Sequence, residues 1–281
     1  MKADLHIHSN YSDGSDNIAE LLNNIVHAGV KVFALSDHDT VEGIPEVIKI
    51  LPPELKFIPG VELTCKTDNI KCHILGYGCD YKNTTLNDLI KKGKILRKIK
   101  LEARIEYLKT KWNIILTKEE LDWLYSRKSV VKTHVANILV NRGLAKDNVS
   151  AMKKYLDGCT TGDTKFSCEE AIDAIVKSGG IPVWAHPLGG EGESHDTPEV
   201  FMQKLKKMNN LGIKGLECYY SRYNKEEEDF LIKCANSNGL LISGGSDYHG
   251  SNKINIKIGM LNSDNISVNT DKLTILSTLL T

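Results

Sequence analysis

The chain has 281 residues, with 36 Lys and Arg balanced by 36 Asp and Glu, enough length for one large core or two smaller ones without help from disulfides. The balance excludes a strongly basic nucleic-acid surface while leaving room for a local phosphate-binding patch, and no apolar run approaches the ~20 residues that a bilayer span needs. Seven cysteines is an odd number, and Cys65, Cys72 and Cys79 are too widely spaced for a zinc ribbon, so reduced thiols are expected rather than disulfides or Cys-ligated metal.

Met1-Lys2-Ala3-Asp4 leads straight into a strand, Ala3 to His8, with no signal-peptide pattern, and the expected location is the cytoplasm. A helix from about Asn17 to Ala28 follows. It carries Ile18, Leu21, Leu22, Ile25 and Val26 at helical spacing and ends at Gly29. Further strands are predicted over Lys31 to Ser36, Phe57 to Leu63 and Cys72 to Tyr77, giving a β/α rhythm. From about Thr84 to Gly162 the rhythm gives way to helical patterns at Leu86 to Tyr107, Lys118 to Tyr125 and Val131 to Arg142. This predicts a helical subdomain over residues 84–162, inserted into a barrel formed by 1–83 and 163–281. The rhythm resumes with helices near Cys168 to Lys177, Val200 to Asn209 and Lys225 to Asn236, which alternate with strands Ile181 to Ala185, Gly215 to Tyr219 and Leu240 to Ser243. Leu188 to Thr197, rich in Gly and Glu, reads as a mobile loop.

Acidic and histidine residues cluster at the strand ends, in Asp4-Leu5-His6-Ile7-His8, Ser36-Asp37-His38-Asp39, Val61-Glu62-Leu63, Cys72-His73-Ile74, Ala185-His186-Pro187 and Ser246-Asp247-Tyr248-His249. In a parallel β/α barrel the C-terminal strand ends form one rim, which would gather them all. His6 and His8 point the same way across Ile7 and can grip one ion together. Asp247 and His249 repeat that spacing. One His-x-His pair alone reads equally well as two surface histidines, His38 as a turn residue, His73 as a hydrogen-bonded core residue and Asp13 as part of a turn. Glu62 is harder to explain away, because a carboxylate inside an apolar strand needs a cation or strong donors. Six concurring placements point to a multi-metal site, and mixed imidazole and carboxylate donors suit Mn²⁺, Zn²⁺ or Fe²⁺ better than Ca²⁺ or Mg²⁺.

These motifs, together with Ser12-Asp13-Gly14, Gly60-Val61-Glu62 and Gly245-Ser246-Asp247-Tyr248-His249-Gly250, resemble the polymerase and histidinol phosphatase (PHP) superfamily of metal-dependent phosphoesterases. Gly215-Leu216-Glu217-Cys218-Tyr219 followed by Ser221-Arg222 is similar to the stand-alone branch that acts on small nucleotides. The resemblance implies a distorted barrel of seven β/α units with two or three divalent ions. His6, His8, Glu62 and Asp247 would hold one ion, and Asp13, His38 and His249 a second. Glu62, His73 and His186 would hold a third, with Glu62 bridging. It implies hydrolysis by metal-activated water, with Asp37 or His249 as candidates for proton transfer.

In the predicted insertion, Lys132-Thr133-His134 stands where related phosphatases commonly have Arg-Pro-His. The resemblance therefore makes His134 a phosphate contact and Lys132 one by charge alone, since Lys lacks the planar fork of Arg. Solvated positions at a helix start are the plainer alternative. Arg222 is a further candidate anion ligand. Tyr219, Tyr220 and Tyr248 could stack on a base or pack in the core, and His27 and His195 read as structural or solvated. The expected activity is removal of a phosphomonoester from a small nucleotide. The alternatives are a 5'-to-3' exonuclease on short RNA or DNA, a histidinol phosphate phosphatase, and a noncatalytic metal-binding module.

Overall fold

A computed structural model describes residues 1–68, 70–162, 165–190 and 193–280. Eight strands form one sheet: β1 (Lys2–Ile7), β2 (Val30–Leu35), β3 (Lys56–Thr67), β4 (Ile70–Tyr77), β5 (Phe166–Ser167), β6 (Ile181–Trp184), β7 (Gly215–Tyr220) and β8 (Leu241–Gly245). Their order is β1-β2-β3-β4-β6-β7-β8, with β5 added beside β3. Beyond β8 the chain bridges back to β1, because the Asp247 N–H donates to the His6 carbonyl at 2.8 Å and the His8 N–H to the Tyr248 carbonyl at 2.9 Å. Asp4 staples the same seam, accepting from the Ser246 N–H at 2.9 Å and the Gly259 N–H at 2.7 Å. The result is a nearly closed, distorted α/β barrel, as expected.

One expectation fails in direction. β4 runs antiparallel to both β3 and β6, whereas β1-β2-β3 and β6-β7-β8 are parallel. Thr67 pairs with Ile70, so only two residues join β3 to β4, and Asp68 at φ 44° takes the left-handed conformation such a hairpin needs. His73 therefore lies near the start of its strand rather than at its end. The reversal still delivers it to the common rim, opposite Thr64 of β3.

Around the sheet lie α1 (Ile18–His27), α2 (Ile44–Ile50), α7 (Cys168–Lys177), α8 (Pro198–Leu211) and α9 (Lys225–Ser237), with a last short helix α10 (Leu276–Leu279). Reciprocal caps start several of them: in α1 the Asn17 side chain accepts from the Glu20 N–H, and the Glu20 carboxylate accepts from the Asn17 N–H. Both α2 and β5 escaped the sequence reading, α2 because it is only seven residues long and β5 because it is two.

Between β4 and β5 come α3 (Thr84–Trp112), α4 (Lys118–Ser126), α5 (Lys132–Asn141) and α6 (Asn148–Ala151), the last running into a π-turn over Met152–Leu156. They share an apolar cluster of their own around Leu101, Leu108, Leu124, Val135, Leu139 and Leu156. Gly93 sits inside α3, where glycine costs about 1 kcal/mol relative to Ala. A Cβ there would meet the Phe166 ring at 2.5 Å, so the glycine lets α3 lie directly on β5. Asp163 and Thr164, at the expected boundary of the insertion, lie outside the described residues, as do Glu191 and Gly192 of the loop expected to be mobile. The described remainder of that loop is anchored, with the Leu188 N–H donating to the Tyr223 hydroxyl at 2.8 Å and the Asp196 N–H to the Leu188 carbonyl at 2.7 Å. Among the described residues, no helix is long and apolar enough to cross a membrane.

Candidate metal centre

Strand alternation turns His6 and His8 to one side of β1, and Gly245 permits this packing: a Cβ at residue 245 would fall 2.1 Å from the His6 Cβ. Around these rings the rim delivers Asp13, His38, Glu62, His73, His186, Asp247 and His249. Glu62, 1% exposed, is the hub. Its Oε2 lies 3.3 Å from His6 Nε2, 3.2 Å from His8 Nε2 and 3.1 Å from His38 Nδ1, and its Oε1 lies 2.9 Å from His73 Nδ1 and 3.3 Å from His186 Nε2. Asp247 Oδ1 is 3.6 Å from His6 Nε2 and 3.4 Å from His8 Nε2, and His249 Nε2 is 3.1 Å from Asp13 Oδ1.

Three groups offer donor atoms within 4.8 Å of one another: His8, Asp13, His38 and His249; His6, His8 and Asp247; and His38, Glu62 and His73. The grouping differs from the one the resemblance implies, since His8 reaches the Asp13 set and His38 the Glu62 set. Five buried atoms, His6 Nε2, His8 Nε2, His38 Nδ1, Asp13 Oδ1 and Glu62 Oε2, have no hydrogen-bond partner. Buried polar atoms are ordinarily satisfied, and five such atoms converging on one place suit divalent cations.

The tautomers agree. His6 Nδ1 donates to Glu217 Oε1 at 2.8 Å and His249 Nδ1 to the Asp247 carbonyl at 2.8 Å, so in each ring Nε2 turns its lone pair inward. Glu217 also accepts from the His186 N–H at 2.7 Å. Its role escaped the sequence reading, although an acid inside apolar β7 is the same signal that singled out Glu62.

The electrostatics favour cations. Burial opposes ionisation of Glu62, but His38, His6 and His73 outweigh it and hold its carboxyl well below the usual range. Burial likewise opposes charge on Asp247 and Asp13; Lys253 and His249 overcome it at Asp247, and His249 and His38 at Asp13. Burial also resists protonation of His8, yet Asp247 and Glu62 lift it to about 9. A metal binding here competes with that proton. His186 and Asp247 of the site, and Asp39 next to His38, have positive φ of 29°, 60° and 49°, the kind of backbone strain that collects at functional sites.

Other predicted residues take different settings. The Asp37 carboxylate accepts from the Ser9 N–H at 2.8 Å, the Ser9 hydroxyl at 2.6 Å and the Ser12 hydroxyl, so it braces the turn bearing Asp13 from behind. Lys132 lies on the cavity wall, paired with Asp157. His134, 4% exposed, receives the Val131 N–H at Nδ1 (3.1 Å) and hydrogen-bonds the Ser12 backbone. Arg222, in the turn after β7, is partly buried. Tyr220 donates to Asp247 Oδ2 at 3.0 Å and Tyr248 to Asp16, so these two hydroxyls are engaged in the framework.

Burial pushes the His134 imidazole down to about 4. An unfolded chain protonates this ring near pH 6.5. Stability from His134 is therefore full above that pH and is lost as pH falls towards 4, by about 3 kcal/mol. Urea unfolding between pH 7 and pH 4 should lose correspondingly less stability in His134→Gln than in the wild type. Equal losses would show that His134 is not the titrating group.

The centre floors a cavity of about 970 Å³, and its walls carry Lys71, Lys132, Lys153, Lys165, Lys204 and Lys253. Lys253 Nζ is 2.7 Å from Asp247 Oδ2. A family model for the PHP domain matches residues 4–162, more than half of the chain.

The chain belongs to the PHP domain family. A 5'-3' exoribonuclease of Haemophilus influenzae is 30% identical over 258 residues, covering 88% of this chain and 90% of its own. A 3',5'-nucleoside bisphosphate phosphatase of Chromobacterium violaceum is 27% identical over 254 residues, covering 88% and 86%. An amidohydrolase structure from Chromobacterium violaceum superposes with a TM-score of 0.84 at 24% identity, covering 100% of this chain and 96% of that one, a likeness of fold. PHP membership and these hydrolase relatives make the chain a metal-dependent phosphoesterase, and the noncatalytic alternative is set aside.

Proposed function

We propose that this PHP protein removes a phosphomonoester from a small nucleotide, such as a nucleoside bisphosphate or monophosphate. The observation that carries the reading is the buried imidazole and carboxylate cluster on the floor of a cavity walled by lysines. Two or three ions of Mn²⁺, Zn²⁺ or Fe²⁺ suit the donors. His6, His8, Glu62 and Asp247 would hold one, Asp13, His38 and His249 a second, and Glu62, His73 and His186 a third, with Glu62 common to two. When bound, such ions neutralise phosphate oxygens and lower the pKa of a coordinated water.

The protein's own groups orient the rest. Glu217 fixes the His6 ring and, through the His186 N–H, the turn after β6. Asp37 acts by holding the Ser9–Ser12 turn rather than by moving a proton, and His249, its Nδ1 engaged, has Nε2 alone to offer. Lys253, beside Asp247 and facing the cavity, supplies positive charge to the transferred phosphoryl group. We assign the metal ligands to a barrel of residues 1–83 and 163–281, and substrate choice to the insertion, 84–162, which walls the cavity with Lys132, Thr133, Asn148, Val149 and Met152. His134 would support that wall from behind.

A second reading is a 5'-to-3' exonuclease on short RNA or DNA. The Haemophilus influenzae relative favours it. The deciding experiment is phosphate and nucleotide release by Mn²⁺-reconstituted protein from nucleoside bisphosphates, monophosphates, short oligonucleotides and histidinol phosphate. Fast phosphate release from one small nucleotide is expected. Cleavage confined to oligonucleotides would replace the phosphatase reading with the nuclease one.

A further inference from the structure

We propose that Cys72 and Cys168 form a reversible oxidation site, at which a peroxide joins the two thiols as a disulfide one residue from the metal centre. The inference stands apart from the choice of phosphate ester, because it concerns sulfur chemistry that hydrolysis does not use.

All seven cysteines are free, yet three of them converge. Cys65 of β3 stands opposite Cys72 of β4. Cys65 and Lys66 also pair with Phe166 and Ser167 of β5, which puts Cys168 one residue beyond that ladder. The Cys72 and Cys168 sulfurs lie 3.4 Å apart, so a bond between them needs a closure of about 1.4 Å. All three belong to the apolar cluster between the sheet and α7. Core packing explains their burial, since a free thiol packs as a small apolar group, but it leaves the differences between them unexplained.

Those differences suit oxidation. Cys72 lines the cavity that the metal centre floors and is 7% exposed, whereas Cys168 is fully buried. A small oxidant therefore reaches the pair at Cys72. Cys168 is the first residue of α7, whose start is fixed by Ser167: the Ser167 hydroxyl accepts from the Glu170 N–H at 3.1 Å, and the Glu170 carboxylate accepts from the Ser167 N–H at 3.1 Å. A helix N-terminus favours a thiolate, and the Cys65 and Cys72 side chains also hold the Cys168 thiol below its ordinary range. Cys65 is the poorer partner, being fully buried with its thiol donating to the Leu63 carbonyl at 3.1 Å.

With hydrogen peroxide as oxidant, the Cys72 sulfur attacks one peroxide oxygen, the O–O bond breaks and hydroxide leaves, giving a sulfenic acid. The Cys168 sulfur then attacks Cys72, the S–S bond forms and the second oxygen leaves as hydroxide. The two thiol protons turn both hydroxides into water. Each sulfur loses one electron and each peroxide oxygen gains one. The new bond ties β4, at the residue before His73, to the first turn of α7.

The test uses Zn²⁺-loaded protein, whose ions have no redox chemistry of their own. It is treated with hydrogen peroxide while folded and then unfolded, its remaining thiols are counted, and its peptides are mapped without reduction. We expect the loss of two of the seven thiols, a linked peptide joining Cys72 to Cys168, and full recovery with dithiothreitol. Neither Cys72→Ser nor Cys168→Ser should form a disulfide. No thiol loss in the wild type, a link that includes Cys65, or oxidation confined to the partly exposed Cys159 overturns the assignment, as does an undiminished yield of disulfide in either variant. The wild-type measurement decides the matter even where a variant folds poorly.

Discussion

Glu62→Gln abolishes nearly all phosphate release, by more than about 100-fold, and lowers the bound-metal content of the purified protein. The magnitude follows from position: outer partners of metal ligands typically cost 10–100-fold when mutated, and a residue at the hub of the donor set should exceed them. Glu62 touches five imidazoles through its two oxygens, and the amide of Gln would replace one of those oxygens with a donor. The side chain keeps its volume, so folding should survive. Metal analysis and phosphate release on the same preparation check the result. Full activity with full metal content would remove Glu62 from the machinery.

Arg97→Ala is expected to destabilise the protein by about 3–5 kcal/mol, because it strands a buried carboxylate. That is a large part of the ~5–15 kcal/mol available to a typical domain. Arg97 and Asp39 are 7% and 3% exposed. Arg97 Nε donates to Asp39 Oδ2 at 2.7 Å, its Nη2 donates to the Thr64 hydroxyl at 3.1 Å and its Nη1 to the Val130 carbonyl at 3.4 Å. One guanidinium thus joins α3, the residue after His38, β3 and the approach to α5. The double variant Arg97→Met/Asp39→Asn should recover much of the loss, since it removes both charges and Asn tolerates the left-handed backbone at residue 39. Urea unfolding of the single and double variants measures both. A single variant within about 1 kcal/mol of wild type would mean the pair behaves like a surface salt bridge.

Much of this was legible in the chain. His6-Ile7-His8 and Asp247-Tyr248-His249 announced themselves because alternation along an extended segment dictates shared facing, and Glu62 because a carboxylate in an apolar strand has few stable explanations. Alternation carries no information on direction, which is why β4 reads in the sequence as one more parallel strand. Asp68, at the turn after Thr67, is the local clue. Arg97 gave no signal at all, being one cation in a helix full of them, and its meaning depends on Asp39 fifty-eight residues away in sequence. Motif position puts Asp37, and family resemblance puts His134, at the chemistry, while their hydrogen bonds to Ser9, Ser12 and Val131 emerge only in the fold.

The seam between β1 and the segment after β8 governs when the protein can begin to work. Residues 6 and 8 are synthesised long before residues 247 and 249, yet their side chains share one donor set. A nascent chain can pair β1 with β2, close the β3-β4 hairpin and bring His38, Glu62 and His73 together early, but the group of His6, His8 and Asp247 stays open until residue 247 has emerged. Filling of that part of the centre therefore waits for the turn that follows β8. A chain ending before residue 247 would lack both Asp247 and His249.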